Sequence, residues 1–223
     1  MASLTPTYQQ LSLSVKYTSV LFPLDTLQFL RAVSKQGFII PDSIEQVPFG
    51  TRVEISGLIA RKGDISVRVD SNRQVLGVQA PNVNSVLDEM DSIESLLKTE
   101  LDLDSHALAD YYELLASLTI KAGRHPLECW ETHFAEAPIL NKFSDVLGTD
   151  VSLFGVRLAV RGEVPNQPDW LEIRIEPSVQ SPQKHHSVQI ICRHSRRDEV
   201  FAFGRKLEDT LRNLISLVEQ KDS

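Results

Sequence analysis

The chain has 223 residues, 42% of them hydrophobic and 24% charged, with a formal net charge of −7, the balance of a globular protein able to bury a substantial core. No apolar run approaches the ~18 residues of a membrane span, and the start MASLTPTYQQ lacks the basic-then-apolar order of a secretory signal. Cys129 and Cys192 are too few for a disulfide framework, so the expectation is a cytoplasmic protein with reduced thiols and no membrane partner.

Leu11, Leu13, Val15 and Tyr17 alternate with Ser12, Ser14, Lys16 and Thr18, the period of a half-buried strand. Pro23 then opens a helix carried by Leu24, Leu27 and Leu30, and Gly37 closes it. FIIPDSIEQVPFG, with its two prolines, predicts a crossing loop. Val53, Ile55 and Ile59 give the inward face of the next strand. Arg61-Lys62-Gly63-Asp64 makes a turn, and Ile65, Val67 and Val69 form the other arm of a hairpin. A second turn at Asp70-Ser71-Asn72-Arg73 leads into the strand QVLGVQA. Pro81-Asn82 opens a helix over 82–100, with Val83, Val86, Leu87, Met90, Ile93, Leu96 and Leu97 as its apolar stripe. Acidic residues concentrate in 81–150, on this helix through Asp88, Glu89, Asp91 and Glu94 and on the linker LDLDSHALAD. That pattern predicts a solvated helix face, or an acidic docking surface for a basic partner.

The same order then returns. Leu114, Ala116, Leu118 and Ile120 alternate with Leu115, Ser117, Thr119 and Lys121 as a strand. His125-Pro126 opens a helix that carries Leu127, Trp130 and Phe134, and Pro138 stops or kinks it before a further turn through Leu140, Phe143 and Leu147. VSLFGVRLAV predicts a strand with Phe154, Val156, Leu158 and Val160 inward, followed by the proline-containing loop GEVPNQPDW. Leu171, Ile173 and Ile175 form another strand. A loop through His185 and His186 follows, then a strand with Val188, Ile190 and Cys192 inward. A final amphipathic helix spans about 198–220.

Two β-α-β-β-β-α units are therefore expected, over 1–103 and 104–223. Together they make an α+β fold in which helices pack on one face of an antiparallel sheet. The opposite face then carries the polar phase. In the first half this is Ser12, Ser14, Lys16, Glu54, Ser56, Asp64, Ser66 and Arg68; in the second it is Ser117, Thr119, Lys121, Arg157, Arg161, Glu172, Arg174, Gln189 and Arg193. This element order resembles the saddle of the TATA-box-binding protein in topology alone. That resemblance implies an open sheet face available to a partner. In the family that face is apolar and basic and bends DNA; here it is polar and mixed in sign, on an acidic chain, so DNA bending is not carried over.

Chemistry is sparse. His125, Cys129 and His133 recur every four residues, stepping about 40° around a helix, and with Cys192 and His194 could supply zinc-type ligands. The alternative is a capping histidine, a core cysteine and a surface histidine, since no known pair of zinc-ligand spacings is matched. His185 and His186 read as solvated loop residues, and the carboxylates of 88–104 as solvated charges. There is no Gly-x-Ser-x-Gly, phosphate loop or dinucleotide fingerprint, hence no cofactor is expected.

The leading expectation is a non-catalytic binding or adaptor protein holding a protein partner on the open sheet face or the acidic helix. The alternative is a nucleic-acid or anionic-ligand binder through Lys121, Arg157, Arg161, Arg174 and Arg193. A metal-dependent enzyme using His125, Cys129 and His133 is the third reading.

Overall fold

The computed structural model describes residues 5–18, 24, 26–40, 56–135 and 137–220, apart from the side chains of Ser56 and His133. Strand β1 (Pro6–Tyr17) follows the alternation read from its sequence, with Leu11, Leu13, Val15 and Tyr17 buried. Helix α1 (Leu27–Lys35) starts at Thr26, whose hydroxyl accepts from the Phe29 amide, and ends before Gly37 at a φ of 84°. Strands β2 (Ser56–Lys62), β3 (Ile65–Asp70) and β4 (Val75–Gln79) form a meander. A register shift between Leu58 and Ala60 places both Ile59 and Ala60 in the core, which breaks strict alternation there. Pro23, Val53, Glu54, Ile55 and the loop over 41–50 lie outside the described residues.

Helix α2 (Val83–Leu101) is capped by Asn82, which accepts from the Ser85 amide at 2.9 Å. The acidic linker is largely structured. Asp104 caps the short helix α3 (Ser105–Leu108), and Ala109 already begins strand β5 (Ala109–Lys121). Helices α4 (Pro126–His133) and α5 (Pro138–Leu147) each place proline in the first turn, where its missing N–H costs nothing. Strands β6 (Val156–Ala159), β7 (Trp170–Pro177) and β8 (His185–His194) lead into helix α6 (Arg197–Glu219). Asp198 and Glu199 stand in its first turn, the favourable end of the helix dipole for negative charge.

All eight strands join one antiparallel sheet in the order β2-β3-β4-β1-β5-β8-β7-β6. With six helices among the described residues, the chain is a mixed α+β protein. The central seam is β1 against β5, with Leu13 opposite Leu114 and Leu11 opposite Ala116. α2 packs on β1 and β4, α6 on β5 and β8, and the two helices touch each other. Their buried side chains and the inward phase of the strands merge into one apolar cluster that runs through both halves. Among the described residues no helix is long and apolar enough to cross a membrane.

Three sequence expectations are corrected. The strand expected over 151–160 shortens to Val156–Ala159, and Phe154, Leu158 and Val160, assigned inward, are exposed. Leu158 alone of the three keeps the inward register, opposite the buried Ile173, but the buried core does not extend over it. His185 and His186 belong to β8 rather than a loop. His186 is fully buried, with Nε2 at 3.2 Å from Glu219 Oε1. Glu89 and Glu94 are buried instead of solvated, because each meets a cation: Lys62 for Glu89 and Arg197 for Glu94.

Candidate functional site

Because Ser12, Ser14 and Lys16 alternate with the buried residues of β1, they project from the opposite side of the sheet. Pairing aligns them into transverse rows. One row runs Arg193, Glu113, Ser14, Gly77, Arg68 across β8, β5, β1, β4 and β3; the next runs Tyr111, Lys16, Val75, Asp70. The middle of the first row is nearly bare. A Cβ built on Gly77 would lie 3.6 Å from Ser14 Cβ, so the two small residues sit side by side and keep the floor low. The result is a groove of about 910 Å³, edged by Gln9, Gln10, Gln79, Arg73 and Tyr111. Its lining mixes amides and hydroxyls with four cations, Lys16, Arg68, Arg73 and Arg193, and two carboxylates, Asp70 and Glu113. Burial raises the Tyr111 phenol, which keeps it neutral as a donor at physiological pH.

One end of the groove is built around Arg193. Its guanidinium pairs with Glu113, donates through Nη1 to the carbonyls of Pro165 (2.9 Å) and Gln167 (3.3 Å), and stands 4.7 Å from the Tyr111 ring centroid. With donors satisfied on every side, it is a fixed wall of the groove. At the outer end of the sheet a second concavity of about 580 Å³ is lined by Phe154, Gly155, Arg157, Glu172, Arg174 and Gln189. There Arg157 pairs with Glu172 at 2.7 Å and Arg174 with Glu176 at 2.6 Å. The hydrogen bond from Arg157 to Glu172 raises the guanidinium further above its already high value.

Of the candidate anion contacts, Arg157 and Arg174 are brought together, directly opposite on β6 and β7 and lining one concavity, while Lys121, Arg161 and Arg193 stand apart from them. Arg157, Arg174 and Arg193 lie on three strands and are each neutralised by a glutamate. Lys121 is exposed at the far end of β5, opposite His185, and Arg161 stands in the turn after β6. The candidate metal ligands sit on α4. His125 caps it, with Nδ1 accepting from the Glu128 amide at 3.4 Å, while Cys129 is buried, which raises its thiol pKa. His133 ends the helix, and its side chain is outside the described set. Cys192 is buried in β8, and burial pushes its thiol to about 12. Among the described residues no group of three or more His, Cys, Asp and Glu side chains is placed to hold a metal ion.

A polar cluster that the sequence reading missed lies where α2, α3, β5 and α6 meet. Glu94 Oε1 accepts from the Tyr112 hydroxyl at 3.0 Å and Oε2 from Arg197 Nε at 2.8 Å. Arg197 also pairs with Asp91 and lies 3.6 Å from the Phe201 ring centroid, and His106 Nδ1 is 3.1 Å from the Tyr112 oxygen. Burial lifts the Glu94 carboxyl to about 7, against the Tyr112 hydrogen bond that pulls it down. Burial and the neighbouring Glu94 raise the Tyr112 phenol in turn. A cavity of about 400 Å³ adjoins the cluster, lined also by Lys98, Asp104 and Ser105. The group can exchange a proton near neutral pH, but its donors are already spent on one another.

No protein-family model matches the sequence, and no similar chain is found among curated proteins.

Proposed function

We propose that the chain is a non-catalytic binding or adaptor protein that holds a protein partner on the open face of its sheet. In this reading the fold is two tandem β-α-β-β-β-α units whose helices cover one face and leave the other to the partner. The strand order supports it: counted outward from the seam, β1-β4-β3-β2 is matched by β5-β8-β7-β6, and α2 and α6 each follow the last strand of a half. The buried, unlinked thiols of Cys129 and Cys192 suit a cytoplasmic site of action.

The observation that carries the reading is the groove over Ser12, Ser14 and Gly77, floored by small residues and rimmed by glutamines and tyrosine. Amide and hydroxyl rims match the hydrogen-bonding groups of a polypeptide better than the repeated charge of a nucleic-acid backbone. Arg157, Arg174 and Arg193 weigh the same way, since an anion would have to displace a glutamate from each; Lys16, Arg68 and Arg73 in the groove are the cations that weigh against it.

A Ser14→Arg substitution fills the floor, and because Ser14 is half-buried in a central strand, its circular dichroism spectrum and urea midpoint are compared with the wild type before binding is read. The expected result is that the wild-type chain retains a protein from native extract, Ser14→Arg loses it, and the double variant Arg157→Glu, Arg174→Glu keeps it. Titration with single-stranded and duplex nucleic acid at low salt should show no binding at micromolar protein. Salt-sensitive nucleic-acid binding, or a partner indifferent to Ser14→Arg, would overturn the proposal.

A further inference from the structure

The groove over Ser14 and Gly77 is a positive spot on a negative molecule. The chain has a formal charge of −7, yet the groove gathers Lys16, Arg68, Arg73 and Arg193 against Asp70 and Glu113. Local charge of that sign on an acidic chain draws an anionic group to this face. The four cations are not equally engaged. Arg193 is held by Glu113, Arg73 reaches Asp70 at 3.8 Å, and Lys16 Nζ donates to the Arg73 carbonyl. Among the described residues, Arg68 alone of these four makes no hydrogen bond or ion pair.

Register explains why. Arg157, Arg174 and Arg193 each have a glutamate within reach on the same face. Arg68 is flanked across the sheet by Gly77 on β4 and Leu58 on β2, and neither side chain can accept a hydrogen bond. The nearest acid along its own strand, Asp70, is committed to the following turn, where it accepts from the Arg73 amide at 3.0 Å. Bare floor therefore adjoins an uncommitted guanidinium, with Ser14 on the far side of Gly77. A guanidinium fork matches a carboxylate in two parallel hydrogen bonds. Gln10 and Gln79, in the same groove, can meet the N–H and C=O groups of a backbone.

We propose that the polypeptide segment seated in this groove is acidic, and that one of its Asp or Glu side chains pairs with Arg68 beside Gly77. The inference rests on the groove being where a polypeptide binds, and it adds the chemistry of that polypeptide. One carboxylate on a peptide fits the charges better than a nucleic-acid strand does. A strand brings a phosphate with every nucleotide and needs cations along its whole track. Here one guanidinium is open, and Glu113 and Asp70 stand on either side of the Ser14 and Gly77 floor, where they repel further negative charge.

Selection of a random-sequence peptide library on the immobilised full chain tests this. The retained peptides should be enriched in Asp or Glu at one position, and Arg68→Glu should change that preference to Lys or Arg. Arg157→Glu, at the outer concavity, should leave it unchanged. One retained peptide is then synthesised with its acidic residue and with glutamine in its place. The acidic form should bind the wild type about ten- to hundredfold more tightly, and Arg68→Gln should remove the difference. Arg68 is exposed, so both Arg68 variants should keep the wild-type circular dichroism spectrum. Retained peptides without acidic preference, or a preference that survives Arg68→Glu or moves as much with Arg157→Glu, would overturn the acidic segment and leave the peptide groove standing. No retained peptide, or single-stranded DNA bound more tightly than the retained peptides, would overturn both.

Discussion

Glu94 shows why single residues were the hardest scale to read. It stands between Ile93 and Leu96 on a helix whose apolar stripe was evident, and a carboxylate at that position reads as a flanking solvated charge. What buries it is supplied from far away: Tyr112 is 18 residues on and Arg197 is 103 residues on. No local period can register such partners. The consequence is testable. Two carboxylates, Asp91 and Glu94, share the Arg197 guanidinium, and burial holds Glu94 near 7 against an ordinary 4.5. Between those values the folded chain binds more protons than the unfolded one, so stability falls as pH rises through the window and is flat below it. Urea midpoints measured from pH 4.5 to 7 should therefore decline for the wild type, and Glu94→Gln should flatten that decline. Tyr112→Phe removes the hydrogen bond that lowers the carboxyl, so the carboxyl titration followed by NMR should move higher. Stability should drop by about 1 kcal/mol.

At the scale of elements, periodicity served well wherever one face met the core. The stripes of α2 and α6 and the alternation of β1, β5 and β8 needed only spacing, because burial on one side imposes it. It failed at the ends. His185 and His186 look like loop residues because they are polar, yet they pair with Lys121 and Ile120 as the first rungs of β8. Phe154, Leu158 and Val160 have core spacing yet are exposed, and spacing carries no information about a neighbouring layer. Helix contact gives a further prediction. Gly204 sits inside α6 where it approaches α2, and a Cβ there would lie 3.4 and 3.5 Å from the Leu87 methyls and 3.7 Å from Leu114. These are ordinary van der Waals separations, while glycine in a helix interior costs about 1 kcal/mol relative to alanine. Gly204→Ala should therefore raise stability by about 0.5–1 kcal/mol, read as a higher urea midpoint with an unchanged slope. A lower midpoint would mean that the close approach of the two helices needs the missing side chain.

Across the whole molecule, the question is whether the two stretches proposed as units, 1–103 and 104–223, behave as two bodies. The sequence places a linker at 101–110, but the linker folds into α3 and the start of β5, and β5 pairs along nearly its full length with β1. Neither half could separate without exposing Leu11, Leu13 and Val15 on one side and Leu114, Ala116 and Leu118 on the other, all of which share one apolar cluster with both long helices. A core that crosses the seam couples the halves, so heating should give one transition with matching calorimetric and van't Hoff enthalpies. At ~0.7 kcal/mol per residue the enthalpy should be about 160 kcal/mol for a midpoint of about 60 °C. Leu13→Ala makes the test sharp. The substitution lies in the first half, opposite Leu114 of the second, and truncating a fully buried leucine costs about 2–5 kcal/mol. In a coupled molecule the single peak moves down as a whole. Were the halves independent, Leu13→Ala would split it, lowering one component and leaving the other where it stood.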